Sequence, residues 1–187
     1  MDGEGHMDAL KAIATRRSVR KYKKDDVPRP LVARMIEALF ASPSAVDARP
    51  WHFIVIDDRE ILRQLGREMA DCEMLFEAPL GILICADPSL ERAPGFWPQD
   101  CAAAAENLLL AAHALGLGAV WVGLYPMEER VEAVRRVMAA PRSVIPFALV
   151  AIGCPAEQPP PENRFDPAKL HHNRWGQHGG FSPEDDS

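Results

Sequence analysis

The chain has no nucleotide fingerprint. Neither G-x-G-x-x-G nor G-x-x-x-x-G-K-[ST] follows any apolar run, so a dinucleotide-binding fold and a nucleoside triphosphatase are both unsupported. Positive charge is not in excess either. Among 187 residues, 21 Lys and Arg stand against 27 Asp and Glu, a formal net charge of −6. No global field then gathers nucleic acid or an anionic membrane, and any phosphate must be held by a local cluster. Cysteine is scarce: Cys72, Cys85, Cys101 and Cys154 form no C-x-x-C and read as reduced thiols of a cytoplasmic protein rather than as disulfides. Metal-ligand spacing is missing, because His171 and His172 are adjacent, diverge in any regular backbone and have no third ligand nearby. The N-terminus has no apolar core for a signal peptide. One long uncharged run, residues 107–127, fails as a membrane span because Asn107, His113, Gly116, Gly118, Gly123 and Pro126 interrupt it; it parses as buried helix, glycine turn and buried strand. No Ser/His/Asp triad and no convincing acid/base pair is visible.

What is present describes one ordinary domain, 48% hydrophobic and 26% charged. Residues 1–7 read as a disordered tail or an expression remnant, residues 8–176 as a single domain, and residues 177–187 as a flexible tail. A short helix with Leu10, Ile13 and Ala14 on one face runs into the basic patch at residues 16–21. Pro28 and Pro30 lead into a second helix, on Leu31, Met35, Ile36, Leu39 and Phe40. Residues 51–56, 80–85, 119–124 and 145–152 read as strands buried on both faces. Asp57 with Glu60 suggests a capping box for a helix on Ile61, Leu62, Leu65 and Met69. Residues 99–115 predict a long helix, apolar around its circumference and therefore central, and residues 128–138 a further amphipathic one. Strands alternating with helices predict a parallel, doubly wound sheet. The segment after Cys154 is Pro-rich, yet Phe165, Leu170, Trp175 and Phe181 make it too apolar to float; it docks on its own subunit or on a partner.

Two constellations can carry chemistry. Arg16, Arg17 and Arg20 bracket Ser18, which suits a phosphate monoester; the same residues also read as a solvated charge run favoured by a helix C-terminus. The loop at residues 42–50 exposes backbone groups just before a buried strand, or is a plain connector. Phe96 and Trp97 either cap the core or line the mouth of a site for flat molecules. His113 reads as a hydrogen-bonded core or interface residue.

In order along the chain stand R-R-S-V-R (residues 16–20), P-S-x-x-[ND]-x-[QR]-P-W-x-F (residues 43–53), G-x-G-x-x-W-x-G (residues 116–123), Asn163-Arg164-Phe165-Asp166 and His172-Asn173-Arg174-Trp175. This ordered set resembles the nitroreductase family of flavin enzymes from about Met7 to Trp175. The resemblance implies an α+β fold with a mainly antiparallel sheet flanked by helices, and an intertwined homodimer whose C-terminal arms are exchanged. It implies FMN at the dimer interface, NAD(P)H as hydride donor, and a nitroaromatic, quinone or similar small electron acceptor, used in ping-pong order. By position, Arg16, Arg17, Ser18 and Arg20 are implied phosphate and ribityl contacts, with Arg164 as the later cation. Pro43, Ser44, Ala45 and Asp47 of the other subunit border the ring, and Val122 and Gly123 pass close to it. FMN carries the chemistry, so no catalytic side chain is required. Relatives that use flavin for dehalogenation or enone reduction, and a flavin-binding protein without turnover, are the alternatives. The sequence departs from the family's pattern at Asp47, where Asn is usual, and at Arg49, where Gln is common. A carboxylate only accepts hydrogen bonds; Asp47 then either bonds the flavin N3–H or is held by Arg49.

Overall fold

The computed structural model describes residues 7–178, so the expected tails lie, apart from Met7, Gln177 and His178, outside the described residues. The four apolar runs become β1 (Trp51–Ile56), β2 (Leu80–Ala86), β3 (Gly118–Gly123) and β4 (Ile145–Gly153). They form one sheet in the order β1-β2-β4-β3, with every neighbouring pair antiparallel. The parallel sheet predicted from strand and helix alternation is thus corrected to an α+β arrangement. Alternation misleads here because a strand covered on both faces is an apolar run whichever way its neighbours point. Helical connections, moreover, are long enough to return the chain in either direction.

Five helices, α1 (Ala9–Thr15), α2 (Arg29–Phe40), α3 (Arg59–Glu68), α4 (Trp97–Ala114) and α5 (Glu128–Met138), accompany the sheet among the described residues. One sheet face, with Leu80, Ile82, Ile84, Ala148, Val150 and Ile152, packs on Met35 and Leu39 of α2 and on Cys101, Ala104, Ala105 and Leu108 of α4. The other, with Leu83, Cys85, Val120, Val122, Leu149 and Ala151, packs on Leu62 and Leu65 of α3 and on Val131 and Val134 of α5. Strand side chains alternate between faces, so one sheet sustains two cores.

Local chemistry moves two boundaries from their expected places. Helix α4 begins at Trp97 because Glu91 accepts from the Trp97 N–H (2.8 Å) and Pro98 occupies the first turn, where its missing donor costs little. Helix α3 is capped by Asp58 rather than Asp57: its Oδ1 accepts from the N–H of Glu60 (2.8 Å) and Ile61 (3.4 Å), while the Glu60 carboxylate turns to Arg67. Trp97 is core, only 8% exposed, with ring centroids 4.6 Å from Tyr125 and 6.1 Å from Phe147, whereas Phe96 is 45% exposed. All four cysteines are free. Burial pushes the Cys85 thiol up to about 12 and raises those of Cys72 and Cys101, which disfavours reactive thiolates. Among the described residues, no helix is long and apolar enough to cross a membrane.

Candidate functional site

Helix α1 ends at Thr15, and Arg16 turns the chain into an extended run strapped to the sheet. The Val19 N–H donates to the Ala119 carbonyl of β3 (3.0 Å), and the Lys23 N–H to the Cys154 carbonyl (2.8 Å). Glu157 accepts from the backbone N–H groups of Arg20 (2.7 Å) and Lys21 (3.3 Å). The buried phenol of Tyr22 points between the carbonyls of Val19 (2.7 Å) and Ala151 (3.1 Å). Gly118 permits this approach, since a Cβ there would stand 2.6 Å from Val19 Cγ1 and 2.8 Å from Val19 Cβ. Gly118→Ala is therefore expected to destabilise the fold by about 1–3 kcal/mol through overpacking. Urea unfolding checks this; an unchanged midpoint would contradict it.

The strapped run presents the basic cluster. Arg16 has a side chain 20% exposed, and its Nε lies 3.4 Å from Glu106 Oε1 of α4, at ion-pair distance. That buried Nε nevertheless makes no hydrogen bond, which is uncommon in a folded protein. Arg17 behaves differently. It donates to the carbonyls of Ala14 (3.0 Å), Arg16 (2.7 Å), Pro160 (3.3 Å) and Glu162 (3.1 Å), closing the helix end and tying the run to the C-terminal arm. The Glu162 carboxylate in turn holds Arg164 at 2.8 and 2.9 Å. Arg164 is thus gathered at the arm root through Glu162, while Ser18 and Arg20 flank Val19 on the strapped run.

His113, near the end of α4, completes this corner. The Thr15 hydroxyl gives its one proton to the Lys11 carbonyl (2.6 Å), so in its 2.8 Å contact with His113 Nε2 the imidazole is the donor. Burial first, then the Arg16 and Arg17 charges, hold His113 below its ordinary range. With the folded value under an unfolded value of about 6.5, its contribution to stability is complete above about pH 6.5 and is lost as pH falls through the folded value. Thermal unfolding followed from about pH 7 to pH 5 is expected to show a smaller loss in His113→Gln than in the parent; equal losses would contradict the assignment. A cavity of about 260 Å³, lined in part by Thr15, Arg17, Val19, His113, Gly118 and Glu157, opens beside the cluster.

The loop between α2 and β1 is held in an unusual backbone. Val46, Asp47 and Arg49 have φ values of 54, 50 and 50 degrees, a region that side chains disfavour. Asp47 is held by Arg49, with Oδ1 accepting from Nε at 2.6 Å and Oδ2 from Nη2 at 3.0 Å. Of the two fates open to Asp47, the structure thus has it paired with Arg49. That guanidinium lowers the Asp47 carboxyl from its usual value. Ser44 Oγ accepts from the Arg49 N–H (2.9 Å). Helix α4 anchors the loop twice: Asp100 Oδ1 accepts from the Ala45 N–H (2.8 Å), and Asn107 Nδ2 donates to Ser42 Oγ (3.0 Å) and to the Ala38 carbonyl (3.1 Å). Pro43 is exposed at the start of this turn.

Strand β3 joins these parts to the last pair of expected residues. Gly123 stands four residues beyond Ala119, about 13 Å at the rise of a strand. Val122 is buried against the α3 and α5 side, so only its backbone is available above the opposite face. At Gly123 a Cβ would meet nothing within 4 Å, and its carbonyl accepts from Arg130 (3.2 Å). A cation cluster at one end of β3 and an open backbone at the other can accommodate an anionic, flat and extended molecule.

Sequence reasoning passed over Asp100, Glu106, Asn107 and Glu157. A signal existed for three of them, as polar side chains in a helix otherwise built on Ala and Leu; Glu157, in a polar Pro-rich stretch, gave none.

The family model described as the nitroreductase family matches residues 13–73 and 67–154. A Methanothermobacter thermautotrophicus protein named "Putative NADH dehydrogenase/NAD(P)H nitroreductase" is 49% identical over 176 residues, covering 94% of this chain and 92% of that one. A solved structure from Parabacteroides distasonis is 38% identical with a TM-score of 0.86, covering 89% of this chain and 98% of that one. A Desulfovibrio desulfuricans structure in complex with FMN is 30% identical with a TM-score of 0.74, covering 88% and 93%. The matched segments hold the basic run, the anchored loop and all four strands, and the chain belongs to the nitroreductase family.

Proposed function

We propose that the protein is an FMN-dependent NAD(P)H oxidoreductase that reduces small flat acceptors such as nitroaromatics and quinones. The observation that carries the reading is the basic run strapped against Ala119 at one end of β3, with the open backbone of Gly123 about 13 Å along the same strand. A phosphate would meet the Arg16, Ser18 and Arg20 groups together on the strapped run, and a flat ring would find open space where a Gly123 Cβ would stand. The residues present therefore fit FMN. The flavin-carrying relative and the NAD(P)H in the name of the other point the same way.

When bound, FMN would supply the redox chemistry, the transfer of a hydride from NAD(P)H and of electrons onward to a small acceptor. The chain's task is to bind and orient. Arg16, Ser18 and Arg20 hold the phosphate and ribityl groups, and Arg16, Arg20 and Lys21 offset negative charge on the bound cofactor. Arg17 acts mainly by fastening this run to the arm, since four carbonyls already use its donors. Val122 and Gly123 offer backbone beneath the ring. Pro43, Ser44, Ala45 and Asp47 reach it from the other protomer of a homodimer.

The dimer is supported by the arm itself: Trp175 is 89% exposed and Phe165 45%, surface that a second copy would cover. The four free cysteines suit a cytoplasmic setting. FMN titrated into flavin-free protein, followed by gel filtration, tests the reading. One FMN retained per chain at the mass of a dimer is expected; a monomer that releases all flavin would overturn it.

A further inference from the structure

Asp100 is the one buried charged residue among the described residues, 5% exposed. Burying a carboxylate is costly, and an apolar side chain would serve packing alone as well or better. Its position in the first turn of α4 offsets part of that cost through the helix dipole. Helix capping does not account for the residue, however, because Glu91 already supplies the acceptor for the Trp97 N–H (2.8 Å). Asp100 reaches out of its helix instead. Its Oδ1 lies 2.8 Å from the Ala45 N–H, in the loop whose next residues, Val46 and Asp47, adopt positive φ. The same helix holds the start of that loop through Asn107 and Ser42, at 3.0 Å.

We propose that Asp100 is a positioning residue for flavin binding: its carboxylate pins the Ala45 N–H and so fixes the Pro43–Asp47 turn in the shape that meets the flavin of the other protomer. The inference rests on the FMN reading above and adds a residue outside the shell that touches the cofactor. Two consequences are specific. Removing the acceptor weakens FMN binding although Asp100 never reaches the flavin, and removing the donor at Ala45 makes Asp100 irrelevant to binding.

The test is a double-mutant cycle read as FMN dissociation constants on the full-length protein, with visible circular dichroism of the bound flavin as a second readout. Ala45→Pro deletes the one N–H in question at a position that accepts proline: Ala45 opens a 3-10 turn, and Ser44 before it is extended (φ −143, ψ 154). Asp100→Ala and Ala45→Pro are each expected to weaken FMN binding on the order of tenfold and to alter the flavin dichroism. The double variant should be within about twofold of the weaker single variant, because both changes remove one bond. Where Asp100→Ala does not fold, Asp100→Asn takes its place in the same cycle, with a smaller loss that again vanishes in the Ala45→Pro background. An Asp100 variant that lowers thermal stability but binds FMN like the parent, with the same dichroism, would overturn the inference. Losses that simply multiply in the double variant would overturn it as well. A parent that binds no FMN overturns the flavin reading itself, an outcome distinct from a flavin-binding parent with indifferent Asp100 variants.

Discussion

Gly123→Leu is expected to give a protein as stable as the parent that binds FMN much more weakly. A Cβ at this position meets no atom within 4 Å, and Gly123 is not among the glycines with positive φ, so the new side chain leaves the backbone unstrained and starts into open space. Its cost to folding should remain within about 0.5 kcal/mol. In the flavin reading the same space receives the ring, and an isobutyl group forces either the ring or the strand to move. Overpacking of that kind costs about 1–3 kcal/mol, equal to roughly a 5- to 150-fold loss of affinity. Thermal unfolding and FMN titration measure the two quantities separately. A variant that unfolds early would show that Gly123 serves the sheet, and one that binds FMN normally would move the ring elsewhere.

Arg16→Ala should act on binding in the same direction for an electrostatic reason. The Arg16 guanidinium is mostly buried, its Nε is unsatisfied, and its partner Glu106 is 47% exposed, so the pair contributes little to stability. What the side chain offers is a largely desolvated cation beside the strapped run. Hydrogen bonds to a charged group contribute about 1.5–3 kcal/mol, which predicts FMN binding weaker by about 10- to 150-fold. The loss should shrink for riboflavin, which lacks the phosphate. Equal losses for FMN and riboflavin would assign Arg16 to the ring, and no loss for either would remove it from the site.

The parts of this molecule that were legible in the sequence are those set by local pattern. The apolar runs at residues 51–56 and 80–85 gave strands at nearly those limits, and the Ala and Leu content of α4 announced its central place. Strand direction was not legible in the local pattern, because β2 is buried along its whole length and carries no alternation from which to read a solvent face; the mainly antiparallel sheet that is found was implied by the ordered motifs and their family resemblance. The spacing of R-R-S-V-R and of the proline-rich loop marked the right segments. It did not divide the labour within them. Arg16 and Arg17 are neighbours of the same type, yet one faces Glu106 with a buried Nε that makes no hydrogen bond while the other donates to four carbonyls, two of them in the arm at Pro160 and Glu162 more than a hundred residues on. Asp47 similarly gains its partner from a local turn with positive φ, which sequence spacing alone does not encode.

The central claim is that this chain carries electrons from a nicotinamide donor through bound FMN to a small acceptor. Its most direct test is the visible spectrum of the FMN-loaded protein under anaerobic conditions, taken before and after NADH or NADPH is added and again after a quinone or nitroaromatic. The flavin colour is expected to bleach with at least one of the two donors and to return with the acceptor. A flavin that stays oxidised in the presence of both donors would contradict that claim and would leave a flavin-binding protein without turnover.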